Sequence, residues 1–285
     1  MKSFSNQEIA DYYDQTEIHY RRAWDLNDSL AMHYGYWRKD TQNFRQSLVH
    51  MNEKLAQTAG IKAEDKVLDA GCGLGGSALF LAKNYGCQVI GITLLERHVH
   101  QARALAVESQ LQHLVQYKKQ DYTQTQFPAE SFDVIWTNES IVHAADKKAF
   151  VKECQRLLKP GGRLIMGEYY WKEERRSEKD QVLLDKWMHA WAIPHLISKE
   201  QFISDLKSSG LDLLVFEDIT TNIKKSAFRM YYGSFFMTVL SALYRIYNPK
   251  VRFFADNHYK GLYYQYPALK KGLWEYRVLL AKKKL

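Results

Sequence analysis

Residues 67–76 read Val67-Leu68-Asp69-Ala70-Gly71-Cys72-Gly73-Leu74-Gly75-Gly76, an apolar run that ends in an acid and continues into a glycine loop. Glycines directly after a strand let the backbone turn tightly and approach a ligand closely. The helical pattern of residues 77–84 would then point its N-terminus at that ligand. Gly71, Gly73 and Gly76 also satisfy the GxGxxG pattern of nicotinamide and flavin enzymes. The stretch therefore predicts a ligand site at the end of the first strand.

The end of the second strand and the acid in the loop argue against a dinucleotide. A dinucleotide fold usually ends its second strand in Asp or Glu, about 20 residues after the loop, to hold a ribose. Here the second strand ends Gly91-Ile92-Thr93-Leu94, and the next acid is Glu96. The carboxylate of Asp69 would repel a pyrophosphate but suits the ammonium group of an amino-acid ligand. A nicotinamide-dependent oxidoreductase stays as an alternative.

Strand and helix patterns alternate along the chain on both sides of the loop. Strand patterns occur at residues 66–69, 88–92, 115–119, 132–136, 163–169, 211–218 and 274–281. Because such alternation implies βαβ crossovers, we predict an α/β, Rossmann-like fold with a seven-stranded, mostly parallel sheet and helices on both faces. The predicted parts are a helical N-terminal cap (1–60), a Rossmann-like core (61–220), a helical insertion between strands six and seven (221–272) and the last strand (273–285).

The composition is that of a globular protein, with 46% apolar and 25% charged residues in a chain of 285. Three scattered cysteines are too few for a disulfide framework or a zinc site, so no metal is predicted. The N-terminus lacks the apolar run of a signal peptide, and the most apolar stretch, residues 235–244, is about half the length of a membrane span. We therefore predict a soluble, cytoplasmic protein, with a homo-oligomer left open.

The net charge of +8 is concentrated in the last part of the chain. Residues 221–285 carry 13 Lys and Arg against two acids, and 13 of the 39 aromatic residues lie between Phe228 and Tyr266. Apolar positions in residues 228–247 recur at three-to-four spacing, which predicts a long amphipathic helix. Five basic residues of this region could hold an anionic substrate group or meet an anionic membrane surface: Lys224, Lys225, Arg229, Arg245 and Arg252. A solvated basic face is the alternative.

The glycine loop occurs together with the turn Lys159-Pro160-Gly161-Gly162, which precedes the fifth strand pattern. This combination resembles the class I S-adenosylmethionine-dependent methyltransferases over residues 60–170. The resemblance implies S-adenosylmethionine as cofactor. The Gly-Ile-Thr-Leu end of the second strand is similar to the subgroup that acts on sterols, tocopherols, prenyl diphosphates and natural products. We therefore predict methyl transfer to carbon, oxygen or nitrogen of a hydrophobic small molecule.

The resemblance also implies roles for individual residues. Cofactor binding is predicted for Asp69, Gly71, Cys72, Gly73, Thr93, Leu94, His98, Asp121, Tyr122, Asn138 and Tyr34. The motif His33-Tyr34-Gly35-Tyr36-Trp37 resembles an N-terminal aromatic segment that folds over the cofactor and closes the site. Substrate contacts are predicted for His33, Tyr36, Trp191, Tyr231 and Phe235.

Residues 138–143, Asn-Glu-Ser-Ile-Val-His, resemble the segment that faces the substrate in this subgroup. Cyclopropane synthases generally carry a Glu that holds bicarbonate where this chain has Val142, which argues against cyclopropanation. His143 is the predicted base, because histidine titrates near neutral pH. Glu139 is the second candidate, and its charge would also stabilise a developing carbocation.

Two further alternatives are an RNA or protein methyltransferase that uses the basic C-terminal region, and a binding module that retains the fold without catalysis. The sequence lacks the Asn-Pro-Pro-Tyr type of segment after the fourth strand, and it contains no recognisable RNA-binding module. A hydrophobic small molecule is therefore the predicted partner rather than nucleic acid.

Overall fold

The computed structural model describes residues 4–172, 177–247 and 253–285. Its α-helices are α1 (Asn6–Ala23), α2 (Leu26–Ser29), α3 (Phe44–Ala59), α4 (Gly76–Tyr85), α5 (Glu96–Glu108), α6 (Lys147–Leu157), α7 (Glu178–Ala190), α8 (Lys199–Ser208), α9 (Thr220–Tyr247) and α10 (Phe253–Lys270). Its strands are β1 (Lys66–Ala70), β2 (Gln88–Thr93), β3 (Val115–Lys119), β4 (Phe132–Asn138), β5 (Leu158–Trp171), β6 (Ile197–Ser198), β7 (Leu211–Asp218) and β8 (Trp274–Lys283).

These strands form one sheet in the order β3-β2-β1-β4-β5-β8-β7, with β6 paired to the end of β5. Neighbouring strands are parallel except β8, which is antiparallel to both β5 and β7. The predicted α/β, mostly parallel architecture is confirmed, and the described sheet has eight strands rather than seven. The additional strand, β6, is only two residues long, and so short a strand leaves no periodic signal in a sequence.

The central strand β1 explains why this part of the sequence is so apolar. It pairs with β2 on one side and β4 on the other, so that both its edges and both its faces are covered. Val67 belongs to the apolar core on one face of the sheet, and Leu68 belongs to the core on the other. The strand order reverses between β1 and β4, and open α/β sheets bind ligands at the carboxyl ends of the strands beside such a switch point.

The first helix of the chain packs against the last one. Helix α1 begins at a capping box in which Ser5 and Glu8 exchange hydrogen bonds. It packs against α10, where the amide of Phe254 donates to Gln15 Oε1 at 3.0 Å. Helix α10 was not separately predicted from the sequence, where Pro267 interrupts the helical pattern.

Helices α9 and α10 follow β7 and precede β8 along the chain, and they lie side by side. Their aromatic side chains pack on one another, with the rings of Tyr231 and Tyr263 stacked at 5.3 Å. The outer face of α9 is apolar and exposed, with Phe236 67% accessible. Within the residues that the structure describes, no helix is both long and apolar enough to cross a membrane.

Two glycines inside these helices give a matched test of the packing. A Cβ at Gly261 of α10 would lie 2.2 Å from Nε1 of the buried Trp191, whereas a Cβ at Gly233 of α9 would meet nothing within 4 Å. We expect Gly261→Ala to lower the free energy of unfolding by about 1–3 kcal/mol through overpacking. Gly233→Ala should raise it by about 0.5–1 kcal/mol, because alanine favours a helix. Urea denaturation measures both, and equal effects would contradict the close approach of Gly261 to Trp191.

Candidate active site

The glycine loop turns sharply at the carboxyl end of β1. Gly71 and Gly73 have positive φ angles of +89° and +52°, which favour glycine. The amides of Gly71 and Cys72 both donate to the carbonyl of Ile92, at 3.0 and 2.9 Å, and tie the loop to the end of β2. A Cβ at Gly71 would lie only 2.4 Å from Cβ of Ser140. Glycine therefore lets this loop approach the residues that follow β4.

A cleft of about 850 Å³, its open mouth included, lies between this loop, α1 and the segment after β4. It brings together twelve of the residues predicted from the sequence: Asp69, Gly71, Cys72, Gly73, Thr93, Leu94, His98, Tyr122, Asn138, His33, Glu139 and His143. Asp121 does not line the cleft, and its carboxylate accepts a hydrogen bond from Asn6 Nδ2 at 2.6 Å.

Asp69 is the buried acid of the cleft, with 3% of its surface exposed. Its Oδ2 atom has no hydrogen-bond partner among the described residues. Burial raises the pKa of this carboxyl to about 7, although a backbone hydrogen bond from Ala78 opposes the shift. A cationic group placed here would supply the missing partner and lower the pKa again. The amino-acid ammonium of S-adenosylmethionine fits this position.

Helix α1 is fastened over the cleft by the carboxylate of Glu17. His98 Nε2 lies 3.0 Å from Glu17 Oε2, and Arg21 and Arg97 make ion pairs with the same carboxylate. Burial alone would raise the pKa of Glu17, but the hydrogen bonds from His98 and Arg21 and the charge of Arg97 lower it to about 2. His98, predicted to contact the cofactor, therefore also joins α5 to α1.

A second, smaller space of about 420 Å³, its open part included, adjoins the cleft. Five residues line both spaces: Tyr13, Met32, His33, Glu139 and His143. The other walls are largely aromatic and aliphatic: Tyr12, Tyr20, Trp24, Tyr34, Val142, Tyr169, Trp191, Ile193 and Met230. We call this space the aromatic cavity. No Lys or Arg is among the described residues that line it.

Glu139 is the acidic residue that lines the aromatic cavity. Its backbone has a φ of +56°, an uncommon conformation for a residue other than glycine. Oε1 accepts hydrogen bonds from the Tyr34 amide at 2.6 Å and the Tyr276 hydroxyl at 2.8 Å, and Oε2 accepts one from the Tyr169 hydroxyl. Burial nevertheless raises the pKa of Glu139 to about 8. The surrounding donors hold the carboxyl in one orientation.

His143 has both ring nitrogens engaged. Its Nδ1 lies 3.2 Å from the carbonyl of Ala192, which can only accept, so that Nδ1 carries the hydrogen. Nε2 is then an acceptor for the Tyr13 hydroxyl at 3.0 Å. Burial lowers the pKa of His143 to about 4, which makes the ring neutral at physiological pH. A proton from the substrate could reach His143 Nε2 only if the Tyr13 hydroxyl moved away or relayed the proton.

Two buried charged side chains, Glu168 and Lys147, support the segment that carries His143. Glu168 of β5 accepts a hydrogen bond from the Val142 amide at 3.0 Å, and Lys147 donates to the Ala144 carbonyl at 2.9 Å. Burial raises the pKa of Glu168 to about 7 and lowers that of Lys147 to about 7. The sequence signal for this pair was a glutamate inside the apolar strand β5.

The remaining predicted residues are divided between the aromatic cavity and the outside. Trp191 lines that cavity, and so does Tyr34, for which a cofactor contact was predicted. Tyr36, Tyr231 and Phe235 line neither the cleft nor the aromatic cavity. The substrate contacts of these three stay predictions. Phe235 is 49% exposed on α9, and Tyr231 packs on α10.

Two basic side chains of the insertion, Lys225 and Arg229, lie over aromatic rings of the N-terminal part of the chain. Lys225 lies over the ring of Trp37 at 5.1 Å, and Arg229 lies over the ring of Phe44 at 4.9 Å. Arg252 is outside the described residues. The expectation that this charge faces the substrate does not hold for Lys225 and Arg229.

Sequence reasoning missed the wall that α1 provides. Tyr12, Tyr13 and Tyr20 all line the aromatic cavity, although nothing local distinguishes them from ordinary helix residues. The available signal was three tyrosines within one otherwise polar helix. Met32, beside the predicted motif at 33–37, was missed as well.

Comparison with known proteins gives a consistent picture. Residues 68–166 match a family model described as a methyltransferase domain. The chain is 30% identical over 232 residues to the chloroplastic tocopherol O-methyltransferase of Arabidopsis thaliana, covering 75% of this chain and 66% of that protein. It is 32% identical over 221 residues to the 2-methyl-6-phytyl-1,4-hydroquinone methyltransferase of Synechocystis, covering 67% of each. The chain thus spans about two thirds of the length of these relatives.

A solved structure shares the fold over nearly the whole chain. Geranyl diphosphate C-methyltransferase from Streptomyces coelicolor, in complex with Mg²⁺, geranyl diphosphate and S-adenosyl-L-homocysteine, superposes with a TM-score of 0.75. The sequence identity is 18%, and the match covers 98% of this chain and 97% of that one.

The neutral state of His143 can be tested through stability. Between pH 6.5 and about 4 the unfolded chain binds a proton that the folded His143 excludes, so that this residue makes the free energy of unfolding fall as the pH falls. We expect His143→Gln to flatten that fall by up to about 1.4 kcal/mol per pH unit. Urea denaturation at several pH values measures the slope. The exposed His100 is the control, and an equal change in His100→Gln would refute the assignment.

Proposed function

Since the chain belongs to the class I S-adenosylmethionine-dependent methyltransferases, we propose that it transfers a methyl group to a neutral, hydrophobic small molecule held in the aromatic cavity. The observation that carries the proposal is the continuity of this cavity with the cofactor cleft through His33, Glu139 and His143. Two relatives are named for tocopherol and a phytyl hydroquinone, which are compounds of this chemical class.

The residues of the cleft suit S-adenosylmethionine, which supplies a methyl group on a positively charged sulfur. Asp69 offers a buried carboxylate without a partner to the ammonium group of the cofactor. We propose that Thr93, Leu94 and His98, which line the cleft, hold the ribose, as the resemblance implies. We propose that Tyr122 and Asn138 complete the binding set at the far side of the cleft.

The walls of the aromatic cavity define the acceptor by its chemistry. Aromatic rings such as those of Tyr12, Tyr20 and Trp24 favour an apolar or aromatic molecule. A diphosphate or carboxylate would need basic partners, and none lines the described cavity. We therefore propose a neutral acceptor. The anionic substrates that the basic insertion suggested are not part of this proposal.

Within this site, we propose different roles for the two predicted catalytic residues. His143 holds the Tyr13 hydroxyl at the junction of the two spaces, because its Nε2 accepts that hydrogen bond. Glu139 is held in place by tyrosine hydroxyls. Positive charge that develops in the aromatic cavity would lower the raised pKa of Glu139, and the ionised carboxylate would stabilise that charge. Both roles consist of positioning groups around the reacting atoms rather than covalent chemistry.

Neither relative named above is called an RNA or protein methyltransferase. The aromatic and aliphatic side chains that line the aromatic cavity also suit a small apolar acceptor better than a macromolecule. We keep contact with an anionic membrane surface as a further proposal, supported by the exposed Phe235, Phe236 and Val239 on the basic insertion. A cytoplasmic location is proposed as well, since the cysteines are all free and buried.

Cofactor binding is tested by thermal shift. We expect S-adenosylhomocysteine to raise the melting temperature of the full chain, because it binds only the folded state. Asp69→Asn should remove that increase, whereas Asp212→Asn on the exposed part of β7 should retain it. Stabilisation by NAD and not by S-adenosylhomocysteine would refute the proposal.

The acceptor class is tested by mass spectrometry. The full chain is incubated with S-adenosylmethionine and, in separate reactions, with alkylated hydroquinones, sterols and geranyl diphosphate. We expect the gain of one methyl group in a neutral acceptor, because the described cavity offers no cation to a diphosphate. Methylation of geranyl diphosphate alone would contradict the proposed substrate class.

A further inference from the structure

His33 is held rigidly at the junction of the cleft and the aromatic cavity. It lies in the segment between α2 and α3, is 5% exposed and lines both spaces. Its carbonyl accepts a hydrogen bond from Trp24 Nε1 at 3.1 Å, and the next amide, of Tyr34, donates to Glu139 Oε1 at 2.6 Å. The backbone on both sides of the imidazole is therefore fixed.

The hydrogen bond of the ring sets its tautomer. His33 Nδ1 lies 2.9 Å from the carbonyl oxygen of Tyr34. A carbonyl oxygen only accepts, so that Nδ1 carries the ring hydrogen and Nε2 carries the lone pair. Nε2 is buried and has no hydrogen-bond partner among the residues that the structure describes. A buried polar atom without a partner requires an explanation, and a ligand that donates a hydrogen bond is one.

Neither of the other two histidines of the site combines a free ring nitrogen with a place in both spaces. His143 lines the same two spaces, but its Nε2 already accepts from Tyr13. His98 has a free Nδ1, but it lines only the cleft and not the aromatic cavity. His33 thus combines a free lone pair with access to both the cofactor and the proposed acceptor.

We propose that His33 is the general base of the methyl transfer, with Nε2 receiving the proton of an acceptor O–H or N–H group. This proposal rests on the function proposed above. The acceptor oxygen or nitrogen forms the new bond to the methyl carbon, the sulfur keeps the electron pair of the bond that breaks, and the acceptor proton moves to Nε2. The positive charge thereby passes from the sulfur to the imidazole, and Nδ1–H stays on the Tyr34 carbonyl throughout.

The charges around the ring are compatible with this step. Burial lowers the pKa of His33 to about 4, so that the lone pair is available at physiological pH. Burial raises the pKa of Glu139, which faces the same two spaces, to about 8. Positive charge on the imidazole would lower that pKa, and the ionised carboxylate would then stabilise the imidazolium. The proposed step also narrows the acceptor to a molecule with an ionisable hydroxyl or amine, such as a phenol.

The tautomer is tested without any turnover. In the full chain labelled with ¹⁵N-histidine, NMR should show His33 with hydrogen on Nδ1 and none on Nε2. Phenol, added with S-adenosylhomocysteine, should move the Nε2 resonance of His33. Hydrogen on Nε2, or an Nε2 resonance that phenol leaves unmoved because only water occupies it, would overturn the proposal.

Variants separate proton transfer from a structural role. His33→Asn can keep a donor for the Tyr34 carbonyl and lacks the second ring nitrogen. With an alkylated hydroquinone as acceptor, we expect kcat to fall about 10²- to 10⁴-fold, with the S-adenosylhomocysteine thermal shift unchanged. His143→Asn is the matched control. Because this variant keeps His33, its kcat should fall toward low pH in the same range as that of the wild type.

A His33→Asn enzyme with wild-type kcat would overturn the assignment and leave the proposed function intact. Absence of S-adenosylhomocysteine binding by the wild-type chain would instead refute the proposed function, and the NMR tautomer would still be measured.

Discussion

The close approach of the loops after β1 and β4 is the constraint on which the site depends. The Ser140 hydroxyl donates to the Ala70 carbonyl at 2.6 Å, while Gly71 leaves no room for a side chain between them. One loop forms the base of the cofactor cleft, and the other carries Glu139 and His143. The two loops are hydrogen-bonded to each other, so that this one contact positions both the cofactor cleft and the residues proposed to act on the acceptor. A side chain at Gly71 would disturb both.

The sequence predicted those features that depend on short stretches of chain. Asp69 and its glycines, the strands and the 138–143 segment each have a local pattern, and the cleft brings most of their residues together. The aromatic wall from α1 could not be predicted, because Tyr13 acquires its place only through a partner 130 residues away, His143. Glu168 likewise becomes a support only once β5 lies beside the loop after β4.

The basic insertion shows a different limit of sequence reasoning. Counting charges located the excess between strands β7 and β8 but gave no direction for the side chains. In the structure Lys225 and Arg229 lie over aromatic rings of the N-terminal segment, and neither lines the aromatic cavity. In such contacts a guanidinium or ammonium group lies over the flat face of an aromatic ring, and a linear sequence pattern does not distinguish these groups from ones that bind an anion.

The meeting of α1 with α10 has a consequence for how the site is assembled during synthesis. The residues around the cofactor cleft all lie before residue 144, whereas the aromatic cavity also needs Trp191 and Met230. Its wall from α1 packs on a helix that ends at Lys270. A chain still emerging from the ribosome therefore has the parts for the cofactor well before it can enclose an acceptor. The order of translation thus separates the two halves of the site in time.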